Sequence, residues 1–437
     1  MADADLIGSP LHYYPKLGRL GDTIPFFWSG EYHVFYLLWD VAPTCSWEHI
    51  VSTDLIHWRE LPTTLKTNPD DPTGPDGFHM FTGCVTHHAG TFYLHYTGHN
   101  PNNPNGTQFI CLATSSDLVH WQKHPEHAFS ADQKRYLRRD FRDPYVFWHE
   151  QEGLWWMLLT TCTADTDLAV QGLARSDDLI VWEQADPLVF DPPMTAGHTV
   201  TPECPDLFQI GDAWHLLYTR VTQNIRRAET INGPYRLVEP TAVDTPRLLA
   251  GKRLFDGERH LYFGPLGSEK GDTVLGIREL YGGPENQLFS RAPAELFAPF
   301  DRTVTKLTHQ PILKEGEPAW QIQTPVSYLL TVTLSLSADA TVTLIPRYEE
   351  NRLDRCQLYL NGERQEMASD GCTRPFVLDR SGHVTVRLLL QGTVVEWYID
   401  DRYTLSARNY DENRPFALLV ERGEVRVITL RVQEGLQ

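Results

Sequence analysis

Three acids stand at nearly one position ahead of a repeated strand. Asp22 lies eight residues before Gly30, Glu203 eight before Gly211, and Asp143 ten before Gly153. Carboxylates that meet in one place repel each other and resist ionisation, and clustered, perturbed acids mark functional sites. Two carboxylates flanking a glycosidic bond are what glycoside hydrolysis needs, one as nucleophile or base and one as acid. A third can orient sugar hydroxyls and support positive charge developing at the ring oxygen. Any single one of the chain's 57 acids is more simply read as a turn residue or a surface ion-pair partner. Three in register point to a site.

That register comes from internal repeats. A Gly-led turn followed by an alternating aromatic and aliphatic strand occurs five times, at 30–36 (GEYHVFY), 90–96 (GTFYLHY), 153–159 (GLWWMLL), 211–217 (GDAWHLL) and 257–263 (GERHLYF). A second pattern recurs at 52–58 (STDLIHW), 115–121 (SSDLVHW) and 176–182 (SDDLIVW). Each Gly-led copy reads as the second strand of a hairpin, with period-two alternation. Strand-rich units of this length without long helices suggest the four-stranded blades of a propeller, in preference to a β-solenoid or stacked sandwiches. The innermost strand of each blade lines a central funnel, and the acids fall on those strands. Counting back from Gly90 and Gly257 gives Thr82 and Leu249, so three of the five repeats carry an acid.

The expected architecture is all-β: a five-bladed β-propeller over residues 1–300, a linker over 301–315 and a β-sandwich over 316–437. The stretch 291–300 reads as a short helix leading into the linker. From about Trp320 onward the chain alternates strands and short turns, enough for a sandwich of roughly a hundred residues.

A formal net charge of −19 argues against nucleic acid or an anionic membrane as partner and favours a neutral oligosaccharide or small glycoside. The N-terminal MADADLIGSPLHYY has neither the basic nor the apolar region of a signal peptide, and no stretch has the run of apolar residues that a membrane span requires. The seven cysteines form no CxxC pair, and Cys356 and Cys372 are read as thiols, so the expected setting is cytoplasmic. No cofactor and no metal are expected, since no His/Cys cluster has metal-ligand spacing.

The acids have surroundings that resemble a known family. The segments 141–144 (FRDP) and 203–208 (ECPDLF) are similar to the RDP and EC motifs of glycoside hydrolase family 32, which contains invertases, inulinases and levanases. Trp47-Glu48-His49 with 52–58 resembles its W-x-H-x-x-S-x-D-L-x-x-W segment, and Asp76-Gly77 with Phe81-Thr82-Gly83 its D-G-x-F-S-G segment. The resemblance implies Asp22 as nucleophile, Glu203 as general acid/base and Asp143 as transition-state stabiliser. It implies Arg142 beside the acid/base, and Trp47, Phe81 and Thr82 along the sugar subsite. It implies hydrolysis of a terminal β-fructofuranosidic bond by double displacement with retention.

The family's W-M-N-D-P-N-G is here RLGDTIP at 19–25, its Gln after the F-Y strand is Leu37, and its blade-five aromatic is replaced by Gly264-Pro265. Acids are kept while sugar contacts change, so the sequence leaves open another furanoside, as for an arabinofuranosidase, or transfructosylation. A non-catalytic carbohydrate-binding propeller is the reading from a different class; it predicts loss of an acid, and none is lost. Arg19 is a candidate contact to an anionic group, with a surface ion pair as the plainer reading. His198, five residues before Glu203, is a candidate substrate contact. Trp58, Trp121 and Trp182 recur with the repeat and read as blade packing. The C-terminal domain would shape the funnel wall or support a homodimer.

Overall fold

The computed structural model describes residues 11–41, 45–68, 70–195, 201–350, 356–378 and 381–435. Five sheets follow one another along the chain. The first blade runs from Arg19–Trp28 through Glu31–Trp39 and Ser46–Ser52 to Arg59–Lys66. The second runs from His79–His88 to Gln122–Lys123 and the third from Tyr136–His149 to Glu183–Leu188. The fourth begins at Glu203–Ile210, with Phe190–Asp191 added at its outer edge, and the fifth spans Lys252–Phe255 to Leu288–Arg291. Consecutive strands within each blade pair antiparallel, as hairpins must, while the added Phe190–Asp191 runs parallel to Tyr235–Leu237.

The ring is joined where the fifth blade meets the first. Thr23 Oγ1 donates to Phe263 O at 2.7 Å, and Thr273 Oγ1 to Leu20 O at 2.7 Å. Leu20, Val34 and Ile50 share one apolar core with Leu254, Phe263 and Ile277. No strand is exchanged between these two blades. Side-chain packing, these side-chain-to-backbone bonds and two isolated backbone bonds, Thr23 N to Ala250 O at 3.3 Å and Leu275 N to Tyr13 O at 2.8 Å, make the seam.

The recurring Ser-x-Asp-Leu segment has a physical cause. Its leucine takes a left-handed backbone, with φ of 66°, 65° and 67° at Leu55, Leu118 and Leu179. That conformation costs about 1–2 kcal/mol for a side-chain-bearing residue. The preceding Ser hydroxyl accepts the leucine N–H at 2.9–3.0 Å, and the Asp carboxylate accepts two further N–H groups. The Trp that ends two of these turns, Trp58 and Trp121, donates its indole N–H to the same leucine's carbonyl. Trp58 then packs on Phe263 and Trp121 on Phe35, filling the gaps between blades.

The C-terminal part is two packed sheets around one apolar core that includes Leu330, Leu388, Trp397 and Leu430. The segment expected to be a linker is built differently. Arg302–Thr308 and Ile312–Lys314 both pair with Glu424–Glu434, the last strand of the chain, and so belong to the sandwich ladder. Arg302–Thr308 is mostly exposed, and it is held as a strand by its backbone ladder to a strand more than a hundred residues away, with Leu307 packed on the core and Arg302 paired with Glu434. Ahead of it, the short helix is a single 3-10 turn at Ala294–Leu296. Cys356 and Cys372 do not form a disulfide, and Cys356 Sγ donates to Arg408 O at 2.9 Å.

Propeller and sandwich meet through a buried polar network and, beside it, an apolar cluster that includes Ile56, Leu296, Leu329 and Leu389. Arg278 in the fifth blade, fully buried, binds Asp244 Oδ2 at 2.8 Å and Glu396 Oε1 at 2.7 Å. Asp244 also accepts the Ser406 backbone N–H, and Glu396 accepts the Tyr398 hydroxyl at 2.9 Å. Burial pushes Glu396 up, but Arg278 and His12 outweigh it and hold the carboxyl at about 2.

Candidate active site

Four inner strands carry a β-bulge at one level. In blade one Gly21 and Asp22 oppose a single residue, because Leu20 pairs with Leu38 and Thr23 with Tyr36. Phe81-Thr82, Asp143-Pro144 and Cys204-Pro205 do the same in blades two, three and four. Two residues against one break the pleat and re-aim side chains, which is how bulges serve sites. Asp22 is the second residue of its bulge, Asp143 the first of its own, and Glu203 stands just before its bulge. The acids therefore converge from slightly different steps, which a count from the Gly-led turns blurs. The ten-residue offset at Asp143 has another cause, the longer turn between His149 and Leu154.

Asp143 is the most tightly held. Its backbone is left-handed, φ 57°, and Cys204 beside Glu203 is left-handed too, φ 52°. Such residues each cost on the order of 1–3 kcal/mol and persist where neighbours fix them. Here Asp143 N donates to Thr97 Oγ1 at 2.8 Å, while Asp143 Oδ2 accepts from Thr160 Oγ1 at 3.0 Å and Cys204 N at 3.1 Å. Only 3% of Asp143 is exposed.

Glu203 reaches the funnel with its side chain 46% exposed and is gripped by Arg142, whose Nη2 donates to Glu203 Oε1 at 2.8 Å. Arg142 is itself fixed by Asp140 at 2.6 Å and by Thr201 Oγ1 at 2.6 Å. Burial raises the Glu203 carboxyl above its ordinary value and Asp143 adds to the rise, while Arg142 opposes both. Asp22, partly open to the funnel, is pushed up to about 7, first by burial and then by Asp143 and Glu203, with Lys252 opposing. The Cys204 thiol lies 3.8 Å from Asp22 Oδ2. Neighbouring carboxyls that raise one another's pKa, as Asp22 is raised by Glu203, titrate as coupled groups.

Lys252 is the residue the sequence did not single out. It lies in blade five, 2% exposed, with Nζ donating to Pro144 O at 3.3 Å and resting over the Tyr145 ring. Below the acids it lines a cavity of about 210 Å³ together with Phe27, Tyr145 and Arg253. A lone lysine with no repeat partner gives no sequence signal.

The other expected site residues divide. Phe81 is partly exposed and stacked on His99 at 5.2 Å. Thr82 is wholly buried, with no partner for Oγ1 among the described residues. Trp47 is not on the funnel surface: it is 0% exposed in the core between blades one and two, against Tyr96. Strand alternation turns it there, opposite Leu37 and Leu65. Arg19 is paired with Asp40 at 3.0 Å on the rim, the plainer of its two readings. His198 lies outside the described residues.

The floor of the propeller funnel thus holds three acids, one gripped by arginine, and among them the pair of carboxylates that glycoside hydrolysis requires. The chain belongs to glycosyl hydrolases family 32, whose N-terminal domain matches residues 12–238. Over 227 residues it is 32% identical to a sucrose-6-phosphate hydrolase of Zymomonas mobilis, covering 48% of this chain and 42% of that protein. It is 30% identical to a raffinose invertase of Escherichia coli, covering 48% and 43%. These matches span less than half the length of the curated relatives. Fructan 1-exohydrolase IIa from Cichorium intybus superposes with a TM-score of 0.78 at 16% identity, covering 98% of this chain and 97% of that one. Sucrose-6-phosphate hydrolase from Lactobacillus gasseri gives 0.75 at 18%, covering 99% and 94%. The structural likeness shows the propeller-plus-sandwich fold over nearly the whole chain.

Proposed function

We propose that this chain is a retaining glycosidase that releases terminal β-fructofuranosyl or closely related furanosyl units. The convergence of Asp22, Asp143 and Glu203 through bulges at one level, with Arg142 on Glu203, carries the reading. Asp22 attacks the anomeric carbon while Glu203 protonates the departing oxygen. The glycosyl–Asp22 ester is then opened by water, from which Glu203 takes a proton. Asp143, immobilised by Thr160 and the Cys204 N–H, accepts sugar hydroxyls and stabilises the oxocarbenium-like transition state. The matched relatives named for sucrose-6-phosphate, raffinose and levan support a fructoside substrate.

Purified protein offered sucrose, kestose, inulin, levan and aryl arabinofuranosides tests this, with the first-formed anomer followed by NMR. Release of fructose with its β-configuration kept is expected. Inverted product, or no release from any furanoside, overturns the proposal. Release of arabinose alone keeps the mechanism and changes the sugar.

In the active form the Asp22–Glu203 pair shares one proton, so kcat/KM is expected to rise through about pH 7 as Asp22 ionises. Lys252 favours the ionised form. Lys252→Met is therefore expected to move the acidic limb upward by roughly one pH unit. An unmoved limb in a folded, active variant would exclude the lysine from this role.

A further inference from the structure

Blade one offers Asp22 almost no hydrogen-bonding neighbour. Leu20 and Leu37 are buried, Gly21 has no side chain, and Thr23 Oγ1 is committed to Phe263 O. The space beside Gly21 is taken by the indole of Trp39, since a Cβ added at Gly21 would stand on its Nε1 and Cδ1 atoms. From there a row of partly exposed rings runs onto blade two. Trp39 stacks on His79 at 5.0 Å and 28°, His79 lies 5.2 Å from Phe81, and Phe81 stacks on His99 at 5.2 Å and 24°.

Resting on the functional reading above, we propose that Trp39, admitted by the missing side chain at Gly21, is the specificity-determining wall of the subsite beside Asp22. It receives a furanosyl unit through that unit's C–H face, and the ring row receives the adjoining residue of the glycoside. An aromatic face binds apolar sugar surface and tolerates changes in hydroxyl pattern. A hydrogen-bonding side chain in that place would instead reject sugars lacking its partner.

The test uses the full chain and the furanoside it cleaves best. Trp39→Ala is expected to lower kcat/KM by about 30-fold or more, mainly through KM, as truncation of a buried aromatic anchor does. Trp39→Phe should keep most of the activity, whereas Trp39→Leu, which preserves bulk without a ring face, should not. Gly21→Asn forces the indole aside and should behave like Trp39→Ala, and the double variant should be no worse than either single one. Melting temperatures are recorded for each, and the Phe–Leu contrast stands even where the Ala variant does not fold.

An active wild type with Trp39→Ala or Trp39→Leu within twofold of it overturns the inference alone. A wild type that releases nothing from any furanoside overturns the functional reading, and this inference with it.

Discussion

Asp22→Asn is expected to cut kcat/KM by about 10⁴-fold or more and, at pH 8, to raise the melting temperature. The loss follows from removing the group that would carry the covalent intermediate, an effect of the size seen when one member of a catalytic unit is deleted. The gain follows from linkage. Asp22 titrates at about 7 in the folded chain, above its ordinary 3.8, so the folded state holds its proton more tightly than the unfolded state. Below about pH 4 both states are protonated and the site costs nothing. Between about pH 4 and 7 the unfolded chain ionises first and stability falls; above 7 the penalty is constant. Because Asp22 is partly open to solvent, that penalty is put at about 2 kcal/mol. Melting curves of wild type and variant should therefore converge at pH 4 and separate at pH 8. An equal separation at both would contradict the assigned shift.

Arg278→Met is expected to destabilise the chain by about 3–5 kcal/mol, because it removes the guanidinium shared by the two buried carboxylates Asp244 and Glu396 and leaves His12 to face Glu396. Urea unfolding at pH 7.5 measures this, and turnover per folded molecule should hold, since Arg278 bonds to none of the funnel acids. The pair also sets an acid limit. Glu396 is held at about 2, below its ordinary 4.5, so its contribution is full above about pH 5 and is lost as pH falls towards 2. A loss under 1 kcal/mol would mean that the network is not what joins the two domains.

The propeller is legible in the sequence because each blade repeats the same local solutions, the Gly-led hairpin and the Ser-x-Asp-Leu turn. The acids are legible because they keep phase with those repeats. What escapes is non-local. The pairing of Arg302–Thr308 with Glu424–Glu434 is a ladder between distant strands, and its exposed face carries no apolar pattern to announce it. Trp47 matches a motif, yet only the packed blades show it facing Tyr96 instead of the funnel. The grip of Asp140 and Thr201 on Arg142 joins two blades, and no spacing along either one reveals it.

Residues inside a two-against-one bulge belong to no cross-strand pair, so an exchange there leaves the ladder above and below in register. The funnel floor is thus a set of replaceable tiles on a fixed frame, and a lineage can change its sugar while keeping its acids. Gly21 and Phe81 occupy the same tile in adjacent blades. One is emptied so that Trp39 can lean in, and the other is filled by a ring of its own.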